Sequence, residues 1–216
     1  MRVNKDCPFC KEINCNDQNY LNKSRIVMET DNFVVLPTLG CFCKGYLLVL
    51  PKNHVLSMSD LSYDKLDELH KITNIISKYI WEKMNMKRII FEHGTKNEYE
   101  STSTSIEHAH LHIVPFDGQV LRLLPKDCSF KRIKGFNDLK FETNNYLYLN
   151  DINNNDYIVQ AKNYLSQFFR RIVCEGIGMK HFWDWKEYPF VDNVETTLSI
   201  FNGISERENL VVSNRE

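Results

Sequence analysis

Seven residues constrain this chain more than any other stretch: His108-Ala109-His110-Leu111-His112-Ile113-Val114. Alternate residues of a strand share a face. His108, His110 and His112 therefore line one face at a spacing of roughly 6–7 Å. Ala109, Leu111 and Ile113 line the other, and an apolar inner face fixes the register. The strand is expected over 106–114, with Pro115 as its stop. The spacing suits metal binding, or phosphate chemistry that uses several imidazoles. The bland alternatives are chance histidines on a surface strand and a plain metal site. Strict alternation with apolar residues between, closed by Pro115, argues against chance. Neutral imidazole is a nucleophile near neutral pH because its ordinary pKa is about 6.5. Attack on phosphorus divides one hard displacement into two easier ones. Neighbouring donors can stabilise charge on the phosphate oxygens.

The 216 residues fit one domain with an elaboration, or two small domains. Hydrophobic residues at 43% and charged residues at 25% place the chain among soluble globular proteins. A net charge of -1 excludes an overall basic field for a nucleic-acid backbone, although Lys131, Arg132 and Lys134 make a local basic patch. The polar start Met1–Asp6 is unlike a signal peptide. The longest apolar run, Tyr46–Leu50, is strand-sized, so no membrane span is expected. The seven cysteines read as thiols or metal ligands in a reducing, cytoplasmic setting.

Strands are expected at 25–30, 33–36, 45–50 and 88–91, with Glu92-His93-Gly94 ending the last. A long helix is expected from an N-cap at Ser62 to about Met84, because Leu66, Leu69, Ile72, Ile76 and Ile80 form an apolar stripe. A polar loop follows over 95–105. Short strands are expected around an Asn/Asp turn at 146–149 and 157–159, and helices at 164–174 and 191–201. Residues 1–24 show little periodicity.

Cys7-Pro8-Phe9-Cys10 is a Cys-x2-Cys knuckle, a spacing that serves zinc or redox chemistry. A redox dithiol is disfavoured because no thioredoxin-like pattern follows. Two unliganded thiols are the plain alternative. Structural zinc takes four tetrahedral ligands, and metal would pin a polar N-terminal stretch that has few apolar residues. Cys41-Phe42-Cys43 is a competing pair, better explained by packing. Gln167 and Arg170 lie three apart on one face of an expected helix, where Arg170 could grip phosphate. A solvated helix face or an internal salt bridge is the competing explanation. Trp183 and Trp185 suit packing of the C-terminal part on the main sheet, or base stacking.

The histidine segment resembles the signature of the histidine triad (HIT) family. Lys44-Gly45-Tyr46-Leu47-Leu48-Val49-Leu50-Pro51-Lys52-Asn53-His54-Val55 is similar to that family's strand leading to Pro-Lys-x-His. The long helix and the 88–91 strand fall in the family's order. The likeness covers about 7–116. Ser166–Arg171 and Trp183–Lys186 resemble more weakly the extension of larger HIT-domain proteins.

The resemblance implies an α+β fold, with an antiparallel sheet, a long packed helix and a C-terminal α/β extension. Residues 1–116 would be the catalytic domain and 117–216 an accessory layer. His110 would be the nucleophile, and His112 and Ser105 would contact phosphate oxygens. His93, Gln167 and Arg170 join as substrate-binding candidates, and Glu92 is a pocket candidate. Zinc-containing members imply a structural zinc on Cys7, Cys10, His54 and His108. The expected activity is nucleotide phosphohydrolysis at an α-phosphate through a nucleotidyl-histidine intermediate. A nucleotidyl transferase or dinucleoside polyphosphate phosphorylase is the alternative, though His112 stands where those relatives often carry Gln. A zinc-stabilised nucleotide-binding protein without turnover is a third reading. The family also implies a homodimer. One departure concerns the sugar: Leu36-Pro37-Thr38 replaces a segment where many small members hold the ribose hydroxyls with Asp.

Overall fold

A computed structural model describes residues 3–14, 24–96, 106–161 and 164–207. One sheet organises the described residues. The described strands are β1 (Met28–Glu29), β2 (Phe33–Pro37), β3 (Leu47–Pro51), β4 (Arg88–Gly94), β5 (Leu111–Pro115), β6 (Lys131–Ile133), β7 (Tyr146–Asn150) and β8 (Asp156–Gln160). They form an antiparallel eight-stranded sheet in the order β1-β2-β3-β5-β4-β7-β8-β6. The helices are α1 (Pro8–Asn14), α2 (Tyr63–Met84), α3 (Phe168–Gly176), α4 (Val191–Ile200) and α5 (Ile204–Arg207).

The unbroken apolar runs of β2, β3 and β7 are explained by burial on both sheet faces. On one face, Val35, Val49, Ile90, Leu111 and Ile113 meet the α2 stripe of Leu66, Leu69, Ile72, Ile76 and Ile80. On the other, Leu36, Leu48, Phe91 and Leu147 meet Phe9, Cys10 and Ile13 of α1 and Phe168, Phe169 and Val173 of α3. The expected antiparallel sheet with a long packed helix is therefore present. Helix α2 starts after Ser62, although that side chain makes no capping hydrogen bond. It ends at Asn85, whose left-handed backbone sends its N–H to the Trp81 carbonyl.

Several boundaries differ from the sequence reading. The 25–30 strand shrinks to β1, and Arg25 instead reaches into the core. Strand β4 continues through Glu92-His93-Gly94, because β7 pairs with it as far as Gly94↔Tyr146. Only glycine fits at 94, where a Cβ would collide with the Tyr146 ring. Strand β5 begins at Leu111, where its ladder with β3 starts; its ladder with β4 starts at His112. The segment before it is held separately, by Ala109 N–H to the Val55 carbonyl at 2.7 Å. Helix α3 starts four residues late, after a left-handed Gln167. Residues 8–14 fold as α1, with Pro8 at the first helical position. That helix is pinned by buried Phe9 and Ile13 and by a bidentate ion pair from Arg25 to Glu12 at 2.6 and 2.8 Å.

The C-terminal residues contribute to two places at once. Strands β6, β7 and β8 widen the sheet beyond β4. Helices α3 and α4 pack on the face that carries His112, so the histidines lie between layers rather than on an open surface.

Candidate active site and metal centre

The alternation around residue 110 survives the late start of β5. Ala109, Leu111 and Ile113 pack toward α2. His112 sits opposite Leu48 and Phe91, on the other face. Its ring stacks on Phe91 at 4.5 Å between centroids and an angle of 18°, and meets His110 at 4.9 Å. Phe9 of α1 stands edge-on to His110 at 5.4 Å.

Hydrogen bonds assign the ring nitrogens. His110 Nδ1 lies 2.7 Å from the His108 carbonyl oxygen. A carbonyl only accepts, so Nδ1 carries the proton and Nε2 keeps its lone pair. His112 Nδ1 lies 2.6 Å from the Tyr46 hydroxyl. Burial pushes the Tyr46 phenol well above its ordinary range, so it keeps its proton and can donate to Nδ1. When it does, His112 carries its own proton on Nε2, and the two imidazoles offer an electron-pair donor beside a hydrogen-bond donor.

Both rings are held neutral. Burial lowers His110, and the charge of Arg170 lowers it further, against the His108 carbonyl, which raises it. Burial, then His110, Arg170 and His93, hold His112 well below the ordinary histidine range. Burial followed by His110 brings His93 down to about 4.

His93, His110, His112, Gln167 and Arg170 line one pocket of about 910 Å³, its open mouth included. Arg170 is buried, and donates to the Trp183 carbonyl at 2.9 Å and the Gly40 carbonyl at 2.7 Å. Its guanidinium lies 5.1 Å from the Phe42 ring centre and 5.4 Å from that of Tyr46. It is therefore neither on a solvated helix face nor, among the described residues, in a salt bridge. Gly40 has a left-handed backbone (φ +70), and a Cβ there would collide with Trp185. This close approach brings Trp185 to the pocket wall, while Trp183 lies under Arg171 at 3.2 Å.

Glu92 is not in the pocket. It alternates with Phe91 and His93, so it points to the opposite face. There it accepts from Met58 N–H at 2.7 Å and Tyr146 O–H at 2.6 Å. Burial raises its carboxyl to about 7, against those two hydrogen bonds. Ser105 lies outside the described residues. Tyr46 and Phe91 were not singled out as site residues from sequence. Tyr46 was legible in principle, because it alternates with Leu48 and Leu50 on the histidine face.

Cys7, Cys10, His54 and His108 converge beside this pocket, all buried, with their ligand atoms within 4.8 Å of one another. Sγ to Nδ1 separations are 3.4–3.6 Å, and the two Nδ1 atoms are 3.3 Å apart. Tetrahedral zinc with ordinary bond lengths needs edges of roughly 3.6 Å for S–N and roughly 3.3 Å for N–N. His108 Nε2 donates to the Pro51 carbonyl at 2.8 Å, which directs its Nδ1 lone pair into the cluster. The four residues fit a zinc ion. His110 stands outside them.

A family profile for the HIT domain matches residues 20–119. The chain carries a HIT domain. Among solved structures, this HIT domain is similar to a HIT-like protein involved in cell-cycle regulation from Bartonella henselae. The pair share 22% identity over 53% of this chain and 79% of that one, with a TM-score of 0.43. A HIT family protein from Bacillus anthracis gives 23%, 53%, 75% and 0.43 in the same terms. A zinc-bound histidine triad family protein from Mycobacterium smegmatis gives 20%, 62%, 88% and 0.42. Among curated proteins, none matches the sequence. No helix of the described residues is long and apolar enough to cross a membrane. The HIT match ends at 119, so Gln167, Arg170 and Trp185 reach the pocket from outside it.

Proposed function

We propose that the chain is a nucleotide phosphohydrolase acting at an α-phosphate, with His110 as nucleophile. The observation that carries this reading is the hydrogen bond from His110 Nδ1 to the His108 carbonyl, which leaves Nε2 with its lone pair in the pocket. Nε2 attacks phosphorus, the bond to the leaving group breaks, and a nucleotidyl-His110 intermediate forms. Water then opens the P–N bond and releases the nucleoside monophosphate. His112 Nε2–H donates to a phosphate oxygen. Arg170 supports the same assignment, because a buried cation without a carboxylate partner among the described residues favours an anionic ligand. His93 and Gln167 complete the substrate-binding set, and Ser105 joins it on the strength of the family resemblance.

Cys7, Cys10, His54 and His108 would hold a structural zinc, whose chemistry there is to cross-link α1 to the sheet. The described cysteines are free thiols, as a reducing, cytoplasmic setting requires. A homodimer would have to use a surface other than the outer edge of β4, which β7 covers.

The test is turnover of nucleotide phosphoramidates and dinucleoside polyphosphates by the wild type and by His110→Ala. Hydrolysis lost in the variant supports the proposal. Binding without turnover by the wild type contradicts it and favours a zinc-stabilised binding protein.

A further inference from the structure

We propose that Gln167 reads a neutral part of the substrate that presents a hydrogen-bond donor and an acceptor side by side. The proposal rests on the nucleotide reading above. In a nucleotide, that chemistry belongs to the vicinal diol of the sugar or to one edge of the base.

Both Nε2 and Oε1 of Gln167 are buried without a partner among the described residues. Native folds rarely leave a buried amide unsatisfied at both ends, and such a group asks for an explanation. The backbone at Gln167 is also unusual. It is left-handed (φ 59, ψ 30), which is uncommon for a residue with a side chain. That turn sits immediately before α3 and brings the amide to the wall shared by His110, His112 and Arg170.

A phosphate is the wrong partner for this amide. The oxygens of a substituted α-phosphate carry no proton and only accept, so they would satisfy Nε2–H and repel Oε1. Arg170 and His112 already provide donors for phosphate. No Asp or Glu is among the described residues of the pocket wall, so a ligand hydroxyl or amino group finds no carboxylate there. Oε1 supplies a neutral acceptor instead, and Nε2 supplies the matching donor. A base edge or a pair of sugar hydroxyls satisfies both atoms together, as amide side chains do when they read adenine.

The test is calorimetric binding of inorganic phosphate, AMP, GMP, CMP and UMP to the full chain and to Gln167→Met. For the tightest nucleotide, its 2′,3′-dideoxy form and ribose 5-phosphate are added. Wild type should bind at least one nucleotide more tightly than phosphate. Gln167→Met should lose roughly tenfold or more in that affinity and keep its phosphate affinity. The ligand-free variant should melt higher than wild type, because the unsatisfied amide is gone. Loss with the dideoxy form and retention with ribose 5-phosphate assign the diol; the converse assigns the base edge. Equal nucleotide affinity in the variant overturns the proposal, as does a parallel loss of phosphate affinity or a lower melting temperature. A wild type that prefers no nucleotide over phosphate overturns it as well. Failure of the hydrolase reading is seen separately, as Gln167-dependent nucleotide binding without turnover of phosphoramidates.

Discussion

His108 is bound at both ends of its chemistry: its ring nitrogen Nδ1 lies among Cys7, Cys10 and His54, and its carbonyl oxygen accepts from His110 Nδ1 at 2.7 Å. The residue that closes the metal cluster is therefore the one that fixes the tautomer of the proposed nucleophile. The remaining expectations follow from that coupling and from the neighbouring contacts.

Metal loss should damage stability and turnover together. We expect about one zinc per chain in the wild type and none in Cys7→Ser, with a stability cost of roughly 3–5 kcal/mol. Hydrolysis should fall in the variant because the His108 carbonyl is no longer held in place. Elemental analysis, melting curves and turnover on the same samples check this. A metal-free wild type, or full activity in a metal-free variant, would contradict it.

Tyr46→Phe should act on turnover more than on binding. Donation across the 2.6 Å contact to His112 Nδ1 would place the His112 proton on Nε2. Without the hydroxyl, either tautomer is allowed. One hydrogen bond of ordinary strength corresponds to about a tenfold loss in kcat, with KM little changed. Steady-state kinetics that show wild-type kcat would remove Tyr46 from a positioning role.

Glu92 should make the fold less stable as pH rises. Its carboxyl titrates at about 7 in the folded chain against an ordinary 4.5. Between those values the folded chain holds a proton that the unfolded chain has released. Stability from this group is thus complete below about pH 4.5 and is lost as pH rises through 7, by on the order of 3 kcal/mol. Glu92→Gln cannot titrate. The melting temperature of wild type relative to this variant should fall between pH 5 and pH 8. A constant difference across that range would show that Glu92 does not carry the effect.

The histidine face and the long helix were legible in the sequence because both rest on periodicity. Ala109, Leu111 and Ile113 alternate, and Leu66 to Ile80 recur at helical spacing. The cluster of Cys7 and Cys10 with His54 and His108 followed only from a family resemblance, since nothing local links residues so far apart in the chain. What stayed hidden was tertiary. Glu92 and His93 are adjacent in sequence, yet strand alternation sends one to Tyr146 and the other to the pocket. That was missed because β4 was expected to end at Phe91. Arg170 was a phosphate-binding candidate beside the competing explanation of a solvated helix face or salt bridge, and its burial was not legible because it depends on the distant carbonyls of Gly40 and Trp183 that receive its protons. Gln167 was placed with Arg170 on one face of an expected helix, but its left-handed backbone stands just before that helix, which the spacing did not reveal.

The central claim is that His110 forms a covalent bond to phosphorus. The most direct measurement is intact-mass and peptide mass spectrometry of enzyme denaturant-quenched at alkaline pH during turnover of a nucleotide phosphoramidate. The account predicts a transient adduct of one nucleoside monophosphate, mapped to His110 and absent in His110→Ala. Turnover in the wild type that persists in His110→Ala, with no adduct on either protein, would contradict it.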